Sequence, residues 1–419
     1  MTIDLVPAAD AVRRIPSGSR VLATCCGGTP NTLLRELGRA AEEIDGLSLN
    51  TGLVLGPLPF LDAVRAGTLG MTTWHVTGEV RRLVREGVGE YVPIRAGDIP
   101  AWLPGTFDVL LLRVSSPDAR GYCSMGPSTS WTRAALDAAP LVIAEIDADL
   151  PVTCGDSLVH VSELHIASET DTPSPTYEPA STSDISNRIA ERVLELLPRD
   201  VTAQLGIGAI PETVAAKLID ADLGRLGVVG MGCDQMIPLL DATRRGRLGE
   251  PVLWSVELLG TRDLLDVAHR NPAVSMVSSA LAHNPLWLAE RGRLVSVNSA
   301  VEVDLTGQVA SETVAGSPVA GIGGSADFFE GAHLSSGGLR IIALPAATPD
   351  GAISKIVPRL AEGTPVTIAR HSVDVVVTEH GVAHLTGRGV RERAEALLAV
   401  VAPEFVDVLS EHVPTRRTP

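Results

Sequence analysis

Short, largely apolar runs, most of them bounded by glycine, proline or aspartate, constrain this chain more than any other feature. They cover residues 109–112, 141–146, 341–344 and 373–377. Such runs, lacking a polar residue at every second position, fit strands covered on both faces. Helical patterns lie between them, as over residues 132–139 and 392–401. The alternation predicts an α/β fold with largely parallel sheets. At 419 residues the chain is expected to form two domains. Residues 168–184, rich in proline, serine and threonine, have little to bury and read as a linker or surface excursion. A helix is expected directly after them, capped by Ser183 or Asp184, with Ile185, Ile189, Val193, Leu196 and Leu197 as its apolar stripe. The expected domains are residues 1–175 and 185–419, and the pattern allows the two halves to share one architecture.

Composition excludes several functions. Apolar residues make up 45% of the chain, far too many for a disordered protein. Against 34 basic residues stand 50 acidic ones, a net charge of −16, so neither nucleic acid nor an anionic membrane is expected as a partner. A few arginines and backbone amides can still hold a phosphorylated small molecule. No apolar run approaches the roughly 18 residues of a membrane span. The start, Met1-Thr2-Ile3-Asp4, lacks the basic-then-apolar pattern of a signal peptide, so a cytoplasmic protein is expected. Five cysteines occur, Cys25 and Cys26 being adjacent, with no C-x-x-C pair. They are expected to be free thiols, with neither a disulfide framework nor a metal.

The glycine segments carry the first functional signal. Gly206-Ile207-Gly208-Ala209-Ile210-Pro211 follows an apolar run. It lacks the third glycine of a dinucleotide loop and by itself reads as a tight strand-to-helix turn. Gly321-Ile322-Gly323-Gly324-Ser325-Ala326-Asp327 has more glycine than a turn needs and reads as a ligand-facing loop. Glu145, Glu257 and Glu302 interrupt apolar stretches. Each is a candidate carboxylate in a low-dielectric site, although strand alternation into water or a salt bridge is the preferred reading for Glu145 and Glu302. Cys233, after a glycine-rich strand end, is a candidate nucleophile or an inert buried thiol. His380 and His384 have helical spacing, but Gly381 makes their segment look like a loop without further ligands.

Taken together, the segments resemble one family. They are Tyr91-Val92-Pro93-Ile94, Ser116-Pro117-Asp118 with Gly121-Tyr122-Cys123-Ser124, Thr153-Cys154-Gly155-Asp156-Ser157, and the loop at Gly206. The series continues with Asn298 through Val309, the loop at Gly321, Ile356-Val357-Pro358, Val377-Thr378-Glu379-His380-Gly381-Val382-Ala383 and Arg391-Glu392-Arg393-Ala394. In this order they resemble the acetyl-CoA hydrolase/transferase family of class I CoA-transferases, especially its 4-hydroxybutyrate and butyryl-CoA:acetate CoA-transferases. The resemblance implies two related α/β domains with largely parallel sheets, acyl-CoA as substrate and, as the family suggests, a homodimer. It also implies a glutamate carboxylate that attacks the thioester, forming an anhydride and then a glutamyl-CoA thioester. Gly206, Gly208, Asn298, Gly321, Gly323 and Gly324 would then face CoA, Gly324 donating to the oxyanion. Asn284 would contact the same intermediate or CoA.

The sequence departs from this pattern at the nucleophile. When Asp234 is matched to the family's aspartate, Gly230 falls where the glutamate belongs and Val229 replaces its threonine. No glutamate lies between Glu212 and Glu250. The expectation is therefore direct transfer of the acyl group to water or to a second substrate such as an amine. One alternative is CoA transfer through a substitute nucleophile, Glu257 or Cys233. Another is an inactive acyl-CoA-binding protein.

Overall fold

The computed structural model describes residues 4–244 and 252–414, which form two compact units. One comprises residues 1–178 together with 230–282, and the other residues 179–229 together with 283–419. The expected domains were continuous in sequence, but residues 230–282 pack with the N-terminal part. No local pattern in that segment announces the return.

The first unit is built on eight parallel strands. They are β1 (Asp4–Leu5), β2 (Arg20–Ala23), β3 (Ser48–Thr51), β4 (Gly70–Thr73), β5 (Glu90–Tyr91), β6 (Val109–Ser115), β7 (Leu141–Asp147) and β8 (Ile166–Glu169), in spatial order β1-β8-β7-β6-β2-β3-β4-β5. All seven residues of β6 are buried, which is why its sequence shows no alternation. Helix α1 (Asn31–Ala40) and its neighbours seal one face through Leu33, Leu34, Leu37 and Phe60. Strands β6 and β7 pair Arg113 with Glu145. The two make a fully buried ion pair at 2.5 Å, completed by the Thr170 hydroxyl and the Leu33 amide donating to the carboxylate. Glu145 is thus a salt-bridged structural residue, and no water-facing strand position is involved.

The Pro/Ser/Thr stretch is pinned, not loose. Ser174 is buried and donates to Asp147 Oδ2 at 2.6 Å, and the Tyr177 amide donates to the Gly260 carbonyl. The expected helix follows as α3 (Asp184–Leu196), after α2 (Thr132–Ala138) of the first unit. Ser183 caps α3 by accepting from the Ser186 amide.

In the second unit, β9 (Val201–Leu205) leads into helix α4 (Ala209–Lys217), and β10 (Leu226–Gly232) carries the chain into the first unit. There β11 (Leu253–Leu258) and β12 (Val274–Met276) run parallel. Back in the second unit, β13 (Arg293–Asn298), β14 (Leu339–Ala343) and β15 (Val375–Thr378) extend from β9 as parallel neighbours in the order β9-β13-β14-β15. Strand β16 (Gly381–His384) closes this edge antiparallel to β15. The segment around Gly381, expected to be a loop, is thus a strand of a tight hairpin. Helices α5 (Pro285–Ala289), α6 (Ser325–Leu334) and α7 (Val390–Leu398) complete the unit. Among the described residues, no helix is long and apolar enough to cross a membrane.

Candidate functional site

Two constellations carry chemistry, one in each unit. The first gathers at Glu257, near the end of β11. Strand β2 runs into Cys25-Cys26-Gly27-Gly28, a turn closed by the Gly28 amide donating to the Cys25 carbonyl at 3.0 Å. The glycines let another segment lie directly against this turn. A Cβ at Gly27 would lie 2.5 Å from Pro127 Cγ, and one at Gly28 would lie 2.9 Å from Ser128 Cβ. That segment reaches β11 in turn, where the Leu258 amide donates to the Pro127 carbonyl at 2.8 Å and the Thr129 amide to that of Val256 at 3.0 Å. Cys25, Cys26, Ser128 and Ser130 therefore surround the carboxyl of Glu257.

Glu257 is 4% exposed, and neither of its oxygens has a partner in hydrogen-bonding geometry among the described residues. Burial raises its pKa from 4.5 to about 8, and Ser130, Ser128 and Cys26 offset only part of the rise. No cation contributes to that balance. Cys25 and Cys26 are buried free thiols. The Cys26 thiol is pushed well above its usual range by its hydrogen bond to Cys25, by burial and by Glu257. Cys26 also holds a left-handed backbone at φ 53°, uncommon for a residue with a side chain.

Gly230 lies on β10, next to β11, with φ 120°, a region that disfavours side chains. The Ser255 hydroxyl sits 3.2 Å from the Gly230 carbonyl and 2.7 Å from that of Glu257. Cys233 is buried at the start of the 3-10 turn Asp234–Met236, outside the group of donors that meet at Glu257. Of the two substitute nucleophiles considered from sequence, Glu257 lies in this cluster and Cys233 does not. Sequence reasoning missed Cys25, Cys26, Ser128 and Ser130. The available signal was a glycine pair directly after a strand, next to the paired cysteines.

The second constellation is a cavity of about 210 Å³ at the carboxyl ends of β9 and β13. Gly206, Asn298, Gly321, Gly323 and Gly324 line it, with Ser325. Helix α6 begins immediately after Gly324, so its N-terminus forms part of this wall. The Ser325 hydroxyl is buried there without a partner among the described residues. Asn298 is held by its amide nitrogen, which donates to Gln204 Oε1 at 3.0 Å and to Ser296 Oγ at 2.9 Å. Gly324 packs against a buried imidazole, since a Cβ there would lie 2.4 Å from His283 Nε2. Gly208 does not line the cavity. At φ 108° it caps α4, its amide donating to Glu212 Oε1. Asn284 is the N-cap of α5, its Oδ1 accepting from Leu286 N at 2.9 Å and Trp287 N at 3.4 Å. Its oxygen is thus engaged in ending a helix.

Comparison with known proteins shows what the chain as a whole is similar to. Residues 4–178 match the acetyl-CoA hydrolase/transferase N-terminal domain, and residues 260–413 match the C-terminal domain. The chain is 36% identical over 415 residues to the 4-hydroxybutyrate coenzyme A transferase of Clostridium kluyveri, covering 97% of this chain and 96% of the relative. It superposes on RipA from Yersinia pestis with a TM-score of 0.88 at 26% identity, covering 98% of this chain and 96% of that one. For a 4-hydroxybutyrate CoA-transferase from Porphyromonas gingivalis the TM-score is 0.77 at 29% identity, covering 98% and 97%.

Proposed function

The chain belongs to the acetyl-CoA hydrolase/transferase family, and from that premise we propose that it transfers CoA from an acyl-CoA to a second carboxylate, with Glu257 as the covalent carboxylate. The observation that carries this reading is a fully buried carboxyl group with two unpartnered oxygens. A structural glutamate in that position would need a partner, as Glu145 has in Arg113. A desolvated carboxylate is also a stronger nucleophile than one in water, because its pKa is higher.

In the proposed cycle, the ionised Glu257 attacks the thioester carbonyl, and the C–S bond breaks as the CoA thiolate leaves. The acyl-glutamyl anhydride is then attacked at the glutamyl carbonyl by that thiolate, which releases the first carboxylate. An acceptor carboxylate attacks the glutamyl-CoA thioester in turn, and CoA thiolate captures the acyl carbon of the new anhydride and frees Glu257. The glycine wall at Gly321, Gly323 and Gly324, considered within its own unit, is suited to an anionic part of a ligand. A second reading is favoured by the pKa of about 8, close enough to neutral pH that an ionised fraction exists and is a stronger base than an ordinary carboxylate. There Glu257 is a general base that activates water or an acceptor for direct attack on the thioester.

Intact-protein mass spectrometry with acetyl-, propionyl- and butyryl-CoA separates the two. A CoA adduct, or its alcohol after borohydride reduction, that disappears in Glu257→Gln supports the covalent cycle. CoA release without an adduct, also lost in Glu257→Gln, supports the general base. Turnover that survives Glu257→Gln refutes both roles.

A further inference from the structure

We propose that Cys25, Cys26 and Glu257 form a buried site for one thiophilic divalent cation, zinc being the ion that matches its donors. The inference goes beyond the function proposed above and does not depend on it. One donor atom from each of the three residues lies within 4.8 Å of the other two. Donors around a tetrahedral zinc sit roughly 3.5 Å apart, so closing the set requires shifts of about 1 Å. Two sulfurs and one carboxylate oxygen suit zinc better than the hard ions, which prefer all-oxygen sets. Three protein ligands would leave one position for water or another small ligand.

Two further features point to a cation. All three residues are buried, and both oxygens of Glu257 lack a partner among the described residues. Binding releases the two thiol protons and the carboxyl proton to the solvent and forms two metal–sulfur bonds and one metal–oxygen bond. Finally, Cys26 holds its thiol at the cluster through a left-handed backbone, a form of strain that recurs at ligand clamps.

The test measures metal directly. Purified protein is incubated with zinc in the presence of a non-thiol reductant, dialysed against metal-free buffer and analysed by inductively coupled plasma mass spectrometry. The expected result is one zinc per chain, unchanged in Cys154→Ser. In the Cys25→Ser/Cys26→Ser double variant, retention should fall by more than about 100-fold, beyond the roughly 10–100-fold that the loss of an outer-shell partner would cause. Cobalt should produce a thiolate charge-transfer absorption in the wild-type protein that the double variant lacks. If the double variant does not fold, alkylation of the wild-type protein decides: zinc should protect Cys25 and Cys26, as located by peptide mapping. Zinc content no higher than in the folded double variant, cobalt binding without charge transfer, or thiols alkylated equally with and without zinc would each overturn the proposal. Turnover of the metal-free protein tests the role of Glu257 separately, so the two ideas fail on different readouts.

Discussion

Replacing Glu257 by glutamine should stabilise the protein while abolishing its turnover. The carboxyl has a pKa of about 8 in the folded chain against an ordinary 4.5. Between those values the unfolded chain has lost the proton that the folded chain keeps, so folding requires proton uptake and stability falls as pH rises. Below about pH 4.5 both states are protonated and the residue contributes nothing to the pH dependence. Above about pH 8 both are ionised, and the penalty for holding a buried charge is constant. At about 1.36 kcal/mol per pKa unit, the cost is about 3 kcal/mol at pH 7 and roughly 4 kcal/mol at pH 8. Glutamine has nearly the same shape and no charge, so it removes this cost. For a unit of about this size, each kcal/mol corresponds to roughly 2–4 °C of melting temperature. The variant should therefore melt on the order of 8–16 °C higher at pH 8, and the gap should close toward pH 5. Paired thermal melts followed by circular dichroism across pH 5 to 9 measure it. A variant that melts no higher than its parent at pH 8, or a gap independent of pH, would refute the account of Glu257 as an uncompensated buried acid.

Gly324→Ala should lower the kcat/KM for acyl-CoA by about tenfold or more, because its Cβ would meet His283 Nε2 at 2.4 Å and the N-terminus of α6 must shift; steady-state kinetics with the best acyl-CoA check it. Asn284→Ala should lower stability by about 1 kcal/mol through loss of the α5 cap and leave kcat within about twofold, with Asn284→Ser recovering most of the stability; a large fall in kcat at unchanged melting temperature would restore the role expected from sequence. Arg113→Leu should destabilise the first unit by about 3–5 kcal/mol, since it leaves Glu145 buried and unpaired, and adding Glu145→Leu should recover much of that loss in denaturant titrations.

The architecture was legible wherever a strand is covered on both faces. The run beginning at Val109 is apolar throughout because every residue of β6 is buried. Helix α3 was legible because Ser183 and its apolar stripe are local signals. The segment at Gly381 was misjudged because glycine in a hairpin strand looks the same in sequence as glycine in a loop. The return of residues 230–282 to the first unit depends on tertiary packing alone. The second-unit cavity was largely legible, since close approach to a ligand requires glycine and glycine is visible in sequence. The cluster at Glu257 was only half legible. An acid within an apolar strand stands out, but Cys25 and Cys26 reach it only through the crossing segment that carries Pro127 and Ser128. In sequence the two read only as free thiols outside any disulfide framework.

The glycine at position 230 and the glutamate at position 257 are best understood together. A backbone at φ 120° strongly favours a residue without Cβ, so a carboxylate could act from residue 230 only if β10 followed a different path. A glutamate at residue 230 would therefore require a change of main chain as well as of side chain. An unpaired buried acid on the neighbouring strand would be hard to retain if it did nothing, because at neutral pH it costs more stability than most single substitutions. A surrounding of serine hydroxyls and thiols, without a cation, leaves the acid reactive where an arginine would hold it inert. The arrangement therefore fits a displaced carboxylate better than decay of the site. Decay would favour the uncharged side chain that removes the penalty, and the chain retains the charged one.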